Sequence, residues 1–183
     1  GKESMLQVSK DKDSWFFTIP DTLLGRLIKA VTRYTRTPAG YSEYGGEEVR
    51  EQTVYFELSP DGKNLFLKSD ILFSKADTLD AIHKAVYNSS SNPILQSFKL
   101  ESGAPKRHYK INVGGLFLSE NSFSLNKQRK TFMGISGPVS GGSTYIESIH
   151  AYPINVEVRT VRTYSASSER LPSADETSII TIG

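Results

Sequence analysis

Histidine, serine, carboxylate and tyrosine side chains are where chemistry would reside in this chain. The three histidines, His83, His108 and His150, are scattered, with no two within five residues of each other. A zinc site needs three or four converging ligands, and the spacing offers neither His-x-His nor His-Glu-x-x-His. With no cysteine, thiolate metal sites, disulfides and a Cys nucleophile are excluded as well. A Ser-His-Asp triad would need a nucleophile on a tight turn, and no Gly-x-Ser-x-Gly elbow is present. The glycine-rich stretch 134–142 is no phosphate loop, because no Gly-Lys-Ser/Thr follows it. Glu47–Glu48 and Asp175–Glu176 are neighbours whose side chains point apart in a strand, so they read as solvated charge. The chain by itself is therefore expected to hold no metal or other cofactor and to cleave no peptide.

What remains is recognition. Tyr41 and Tyr44 lie in a loop rich in Pro, Gly and Ser, where exposed aromatic rings could stack on a sugar or a partner surface. Trp15 could join them, although its neighbours Phe16 and Phe17 make core packing its expected role. Gly137 and Gly141 belong to a stretch whose backbone freedom would let it adapt to a neighbouring surface. Ile179 and Ile180 belong to an apolar, β-branched run at the chain's end, read as a strand without an obvious partner.

The elements that must carry these residues are mostly strands. Residues 15–19 are aromatic and β-branched; Pro20–Asp21 breaks them, with Asp21 as a cap for a single turn and Gly25 as its end. Strand resumes over 27–35. Residues 48–58 alternate, with Val54, Phe56 and Leu58 on one face and Glu51, Thr53, Tyr55 and Glu57 on the other. Ser59-Pro60-Asp61-Gly62 is turn chemistry, and Leu65-Phe66-Leu67 returns as the second arm of a hairpin, which 71–73 would extend. Leu79, Ile82 and Val86 recur at helical spacing, which predicts one short amphipathic helix at about 78–87 with Asp77 as N-cap. Two or more strands follow between 94 and 118. Ile154, Val156, Val158 and Thr160 alternate with Asn155, Glu157 and Arg159, the cleanest one-sided strand in the sequence. The expected fold class is α+β, predominantly antiparallel sheet with that one helix.

Composition fits a soluble globular chain of 183 residues, 23% charged and 37% hydrophobic. A net charge of +2, without a Lys/Arg stripe, argues against nucleic acid as a partner. No apolar run is long enough to span a membrane. Residues 165–178 are small, polar and charged, and read as a linker. The expected organisation is a β-rich ancillary domain over 1–164, then a linker and the start of truncated downstream structure over 165–183. The absence of an initiator Met and the apolar final run suggest a piece of a longer parent.

Six stretches in order, 15–25 (WFFTIPDTLLG), 44–46 (YGG), 51–57 (EQTVYFE), 92–94 (NPI), 145–149 (YIESI) and 152–160 (YPINVEVRT), resemble a known family. This is the domain of unknown function that lies ahead of the catalytic domain in large exported bacterial zinc metalloproteases. The resemblance runs from about Trp15 to Tyr164. It implies a parent that is a zinc metallopeptidase, exported to the periplasm or associated with the outer membrane. In that family the His-Glu-x-x-His motif lies further downstream. Nothing here matches it, and no catalytic residue carries over. The expectation is a non-catalytic ancillary domain whose partner is the catalytic domain of the same parent chain, with protein substrate as a second partner. The alternative is a carbohydrate- or surface-binding module built on Tyr41 and Tyr44.

Overall fold

The aromatic run at the start of the chain pairs into a hairpin. In the computed structural model, which describes residues 6–36, 48–70, 92–118, 135–139, 144–166 and 173–182, β1 (Gln7–Asp11) runs antiparallel to β2 (Ser14–Pro20). A single 3-10 turn, Asp21–Leu23, follows. It has no side-chain cap, so Asp21 does not play the expected part; its backbone carbonyl accepts from Leu24 N instead. Gly25 then leaves the turn in the left-handed region, φ +78°. The chain continues through β3 (Ile28–Arg36), β4 (Glu48–Leu58), β5 (Asn64–Ser69), β6 (Ile94–Lys99), β7 (His108–Asn112), α1 (Gly114–Leu118), β8 (Ile135–Val139), β9 (Tyr145–Ala151), β10 (Asn155–Ala166) and β11 (Ser173–Ile182).

The strands form two antiparallel sheets. The smaller has the order β1-β2-β7. The larger has eight strands in the order β6-β5-β4-β3-β11-β10-β8, with β9 beside β10. Strand β10 is long enough to take two partners along one side: β9 pairs its first part and β8 its last. The β4–β5 hairpin closes as the turn residues demand, with Gly62 at φ +73° and Gly62 N donating to Ser59 O at 2.9 Å. Asp61 Oδ1 accepts from Lys63 N at 2.9 Å and from Ser59 Oγ at 2.7 Å. These two bonds, Lys63 first, hold the Asp61 carboxyl below the usual range.

Alternation places one core between the sheets. Phe17, Ile19 and Ile111 come from the smaller sheet; Ile28, Val54, Phe56, Leu65, Leu67, Phe98, Ile149, Val156 and Val158 come from the larger. Leu116 and Phe117 of α1 fill the same core, and Phe117 meets Phe17 edge to face with centroids 6.0 Å apart. Beyond β6, Glu101 N donates to Lys110 O at 2.8 Å, which ties the larger sheet to β7. On the other flank β1 approaches β9.

Several expectations change. The architecture is β-rich and antiparallel, and the described helix is the five-residue α1 rather than the one expected at 78–87, which lies outside the described residues. Helix α1 falls where strand was expected. Asn112 Oδ1 accepts from Gly114 N at 2.9 Å, which turns the backbone after β7. The glycine stretch expected as a loop contains β8, and Pro138 is tolerated there because β8 pairs with β10 alone among the described strands. Of the stretch read as a linker, 165–166 end β10 and 173–178 begin β11, while 167–172 lie outside the described residues. Strand β11 is no open edge: Ile179 pairs with Val31 and Glu157, and Ile180 with Ala30 and Val156. Ile154 leaves the alternating face of β10, because Tyr152 N donates to Asn155 O at 2.7 Å and puts Ile154 on the turn.

Candidate functional site

Where β1 and β9 approach each other, a cleft of 570 Å³ opens, in the size range of small-ligand sites. Its first wall is the β1–β2 hairpin. Asp11 pairs with Ser14, so Lys12 and Asp13 form the turn, and Lys12 takes φ 56°. That register sets Lys10 opposite Trp15, with Lys10 Nζ 5.1 Å from the indole centroid. At so exposed a position the cation–π contact is worth about 0.5–1 kcal/mol. Trp15 thus has two roles: it packs against the core as the sequence suggests, and it also lines the cleft.

The second wall is the turn from β7 into α1. Val113 N donates to Trp15 O at 3.0 Å, which holds this turn beside β2. Asn112, Gly114, Gly115 and Leu118 line it. A Cβ on Gly114 would lie 3.2 Å from Asn112 Oδ1, so the small residue keeps this hydrogen bond short. Replacing Asn112 with alanine is expected to cost about 1 kcal/mol, the ordinary value of such a bond, as a lower midpoint in urea denaturation. The third wall is β9, which supplies Tyr145 and Ile146, with Thr144 just before it. Tyr145 is 54% exposed and is the open aromatic ring of the site.

The site is chemically mixed and close to neutral. It holds one cation, Lys10, and one carboxylate, Asp13, beside two aromatic rings, an amide and hydroxyls. The other sequence candidates do not gather here. Tyr41, Tyr44, Gly141 and His83 lie outside the described residues. Gly137 is in β8, and Ile179 and Ile180 are in the interior strand β11. His108 Nδ1 lies 2.7 Å from Lys106 O, and His150 is exposed on β9 opposite Glu157. Among the described residues no three His, Asp or Glu side chains gather in a way that could hold a metal ion. Trp15 and Tyr145 are 130 positions apart in sequence. No local signal joins them; the pairing of β9 with β10 and its approach to β1 do.

Residues 46–183 match the family described as a domain of unknown function, DUF5117. The chain belongs to that family. No curated protein and no solved structure matches it. In this DUF5117 chain the folded unit reaches further back than the match. Strand β3 sits between β4 and β11, and Phe17, Ile19 and Ile28 share the core with residues of the matched part. The cleft is likewise shared, with Trp15 ahead of the match and Asn112 and Tyr145 within it. No described helix is long and apolar enough to cross a membrane.

Proposed function

We propose that this DUF5117 chain is a non-catalytic ancillary domain of a larger exported zinc metalloprotease. On this reading it docks on the catalytic domain of its own parent chain and helps shape the protease cleft. The zinc and the peptide chemistry belong to that other domain. The periplasm or the outer membrane is the place of action, and protein substrate is the second partner. The six ordered sequence stretches support the protease setting. The observation that carries docking is the tip of the β9–β10 hairpin, Tyr152-Pro153-Ile154. Ile154 is 62% exposed and Tyr152 48%, while Val156 and Val158 of the same hairpin are fully buried. An aromatic and a β-branched aliphatic side chain presented together on a closed turn are the kind of anchor a partner surface takes up. The terminal run does not support docking, since 179–181 are paired on both sides and Ile182 pairs with Ile28.

Expression of the parent's catalytic domain with and without this chain tests the reading. With it, the protease is expected to be more resistant to heat and more active on protein substrates. The double variant Tyr152→Ser, Ile154→Lys should behave like the deletion while the isolated domain keeps its own melting temperature. If the forms with and without the domain prove equally stable and equally active, docking is wrong.

A further inference from the structure

We infer that the cleft between β1, α1 and β9 is a binding site for a neutral oligosaccharide. The cleft disfavours both polyanions and wholly apolar ligands. A polyanion such as a nucleotide or phosphopeptide needs converging cations, and the lining offers Lys10 alone, with Asp13 opposite in charge beside it. A wholly apolar ligand would strip water from Asp13, Ser14 and Asn112 without returning hydrogen bonds. The lining suits a ligand with apolar C–H faces and a rim of hydroxyls, and a pyranose ring has both.

Each part of the lining then has a partner in such a ligand. Tyr145 offers an open ring for a sugar face. Trp15 stands across the cleft with Lys10 over its indole, so the lysine donates to hydroxyls at the ring's edge. Asp13 accepts from hydroxyls through its carboxyl oxygens. Asn112 spends Oδ1 on Gly114 N, which orients its Nδ2 as a donor. The cleft's 570 Å³ takes a short chain of sugars rather than one ring. The inference stands on this cleft alone and does not depend on docking to a protease.

Trp15 is the chain's one tryptophan, so its emission reports on this site in the intact chain. The test titrates the protein with maltotriose, cellotriose, chitotriose and mannotriose, and with trigalacturonate as the charged counterpart. At least one neutral trisaccharide is expected to change the Trp15 emission saturably at a Kd on the order of 1 mM or lower. Tyr145→Ala and Asp13→Ala, both at exposed positions, should each weaken it by about tenfold with the melting temperature unchanged. Three results would overturn the assignment: no neutral member binding up to on the order of 10 mM, binding that survives both substitutions, or trigalacturonate binding tighter than every neutral member.

Discussion

Replacing Phe117 with alanine is expected to lower the stability of the fold by about 3–5 kcal/mol, the range for emptying a large aromatic position in a core. Phe117 is fully buried, and its ring meets Phe17 at 62° with centroids 6.0 Å apart. Phe17 belongs to β2 of the smaller sheet, whereas Phe117 is on a helix of five residues. Such a helix makes almost no stabilising contribution of its own, so its position rests on what its side chains bury. The loss has two parts: the transfer of an aromatic ring back to water, and a void that rigid strands on both sides cannot close. In thermal denaturation the midpoint should fall by roughly 6–20 °C for a chain of this size. Because α1 also forms a wall of the cleft, the Trp15 emission should shift toward that of a more solvated indole before global unfolding. Phe117→Leu, which keeps most of the volume, should cost clearly less. A Phe117→Ala protein within about 1 kcal/mol of the parent would show that α1 is not anchored through this ring.

The β4–β5 hairpin was readable because two independent signals agree there. Val54 and Phe56 alternate with polar neighbours, and Ser59-Pro60-Asp61-Gly62 allows one kind of closure. Strand β2 is legible from its aromatic and β-branched content, and β10 from the alternation of Val156, Val158 and Thr160 with Asn155, Glu157 and Arg159. Strand β11 is hard to read because its first six residues, Ser173 to Ser178, have linker composition. Its place between β3 and β10 is decided by neighbours far away in sequence, which supply the backbone partners that propensity does not. Strand β8 misled for the same reason, and Pro138 adds to it; a strand with one described partner can spare the missing donor. Helix α1 begins Gly114-Gly115, a poor helix former, and is set by the Asn112 side chain and by burial of Leu116 and Phe117.

The cleft was less readable than the fold. Trp15 stands out as the one tryptophan, but its neighbours in sequence are hydrophobic and argue only for packing. Tyr145 becomes its partner because β9 pairs with the first part of β10, which brings it to the flank where β1 lies. Such a site is a property of strand order, and strand order depends on contacts that periodicity does not encode.

The far face of β4 and β5 carries the second large expectation. Lys68 Nζ lies 2.9 Å from Glu57 Oε2, and the two ends differ sharply in burial, with the lysine side chain 8% exposed and the glutamate 49%. The Lys68 ammonium also sits 6.0 Å from the Tyr55 ring, and the Tyr55 hydroxyl accepts from Asn92 Nδ2 at 3.1 Å. A hydrogen bond to Glu57 is the main cause that raises the Lys68 pKa above its ordinary value, with burial opposing it. Removing the glutamate strands a charge that water reaches poorly, whereas removing the lysine leaves a carboxylate that water still solvates. Glu57→Ala is therefore expected to cost about 1–3 kcal/mol and Lys68→Met less than about 1 kcal/mol, although both break the same pair. The sign of the pH effect follows from the raised value. The stability contributed by protonated Lys68 is fully present below the lysine's ordinary pKa and is lost as pH rises through its higher folded value. In Glu57→Ala the lysine loses the partner that raised it, so strongly alkaline buffer relieves the stranded charge. The gap between parent and Glu57→Ala should be wide at neutral pH and should narrow in strong alkali. Urea denaturation of the parent, both single variants and the double variant, at neutral and at strongly alkaline pH, measures this. Equal losses for the two single variants, or a gap that widens with pH, would show that the buried end of the pair does not govern its energetics.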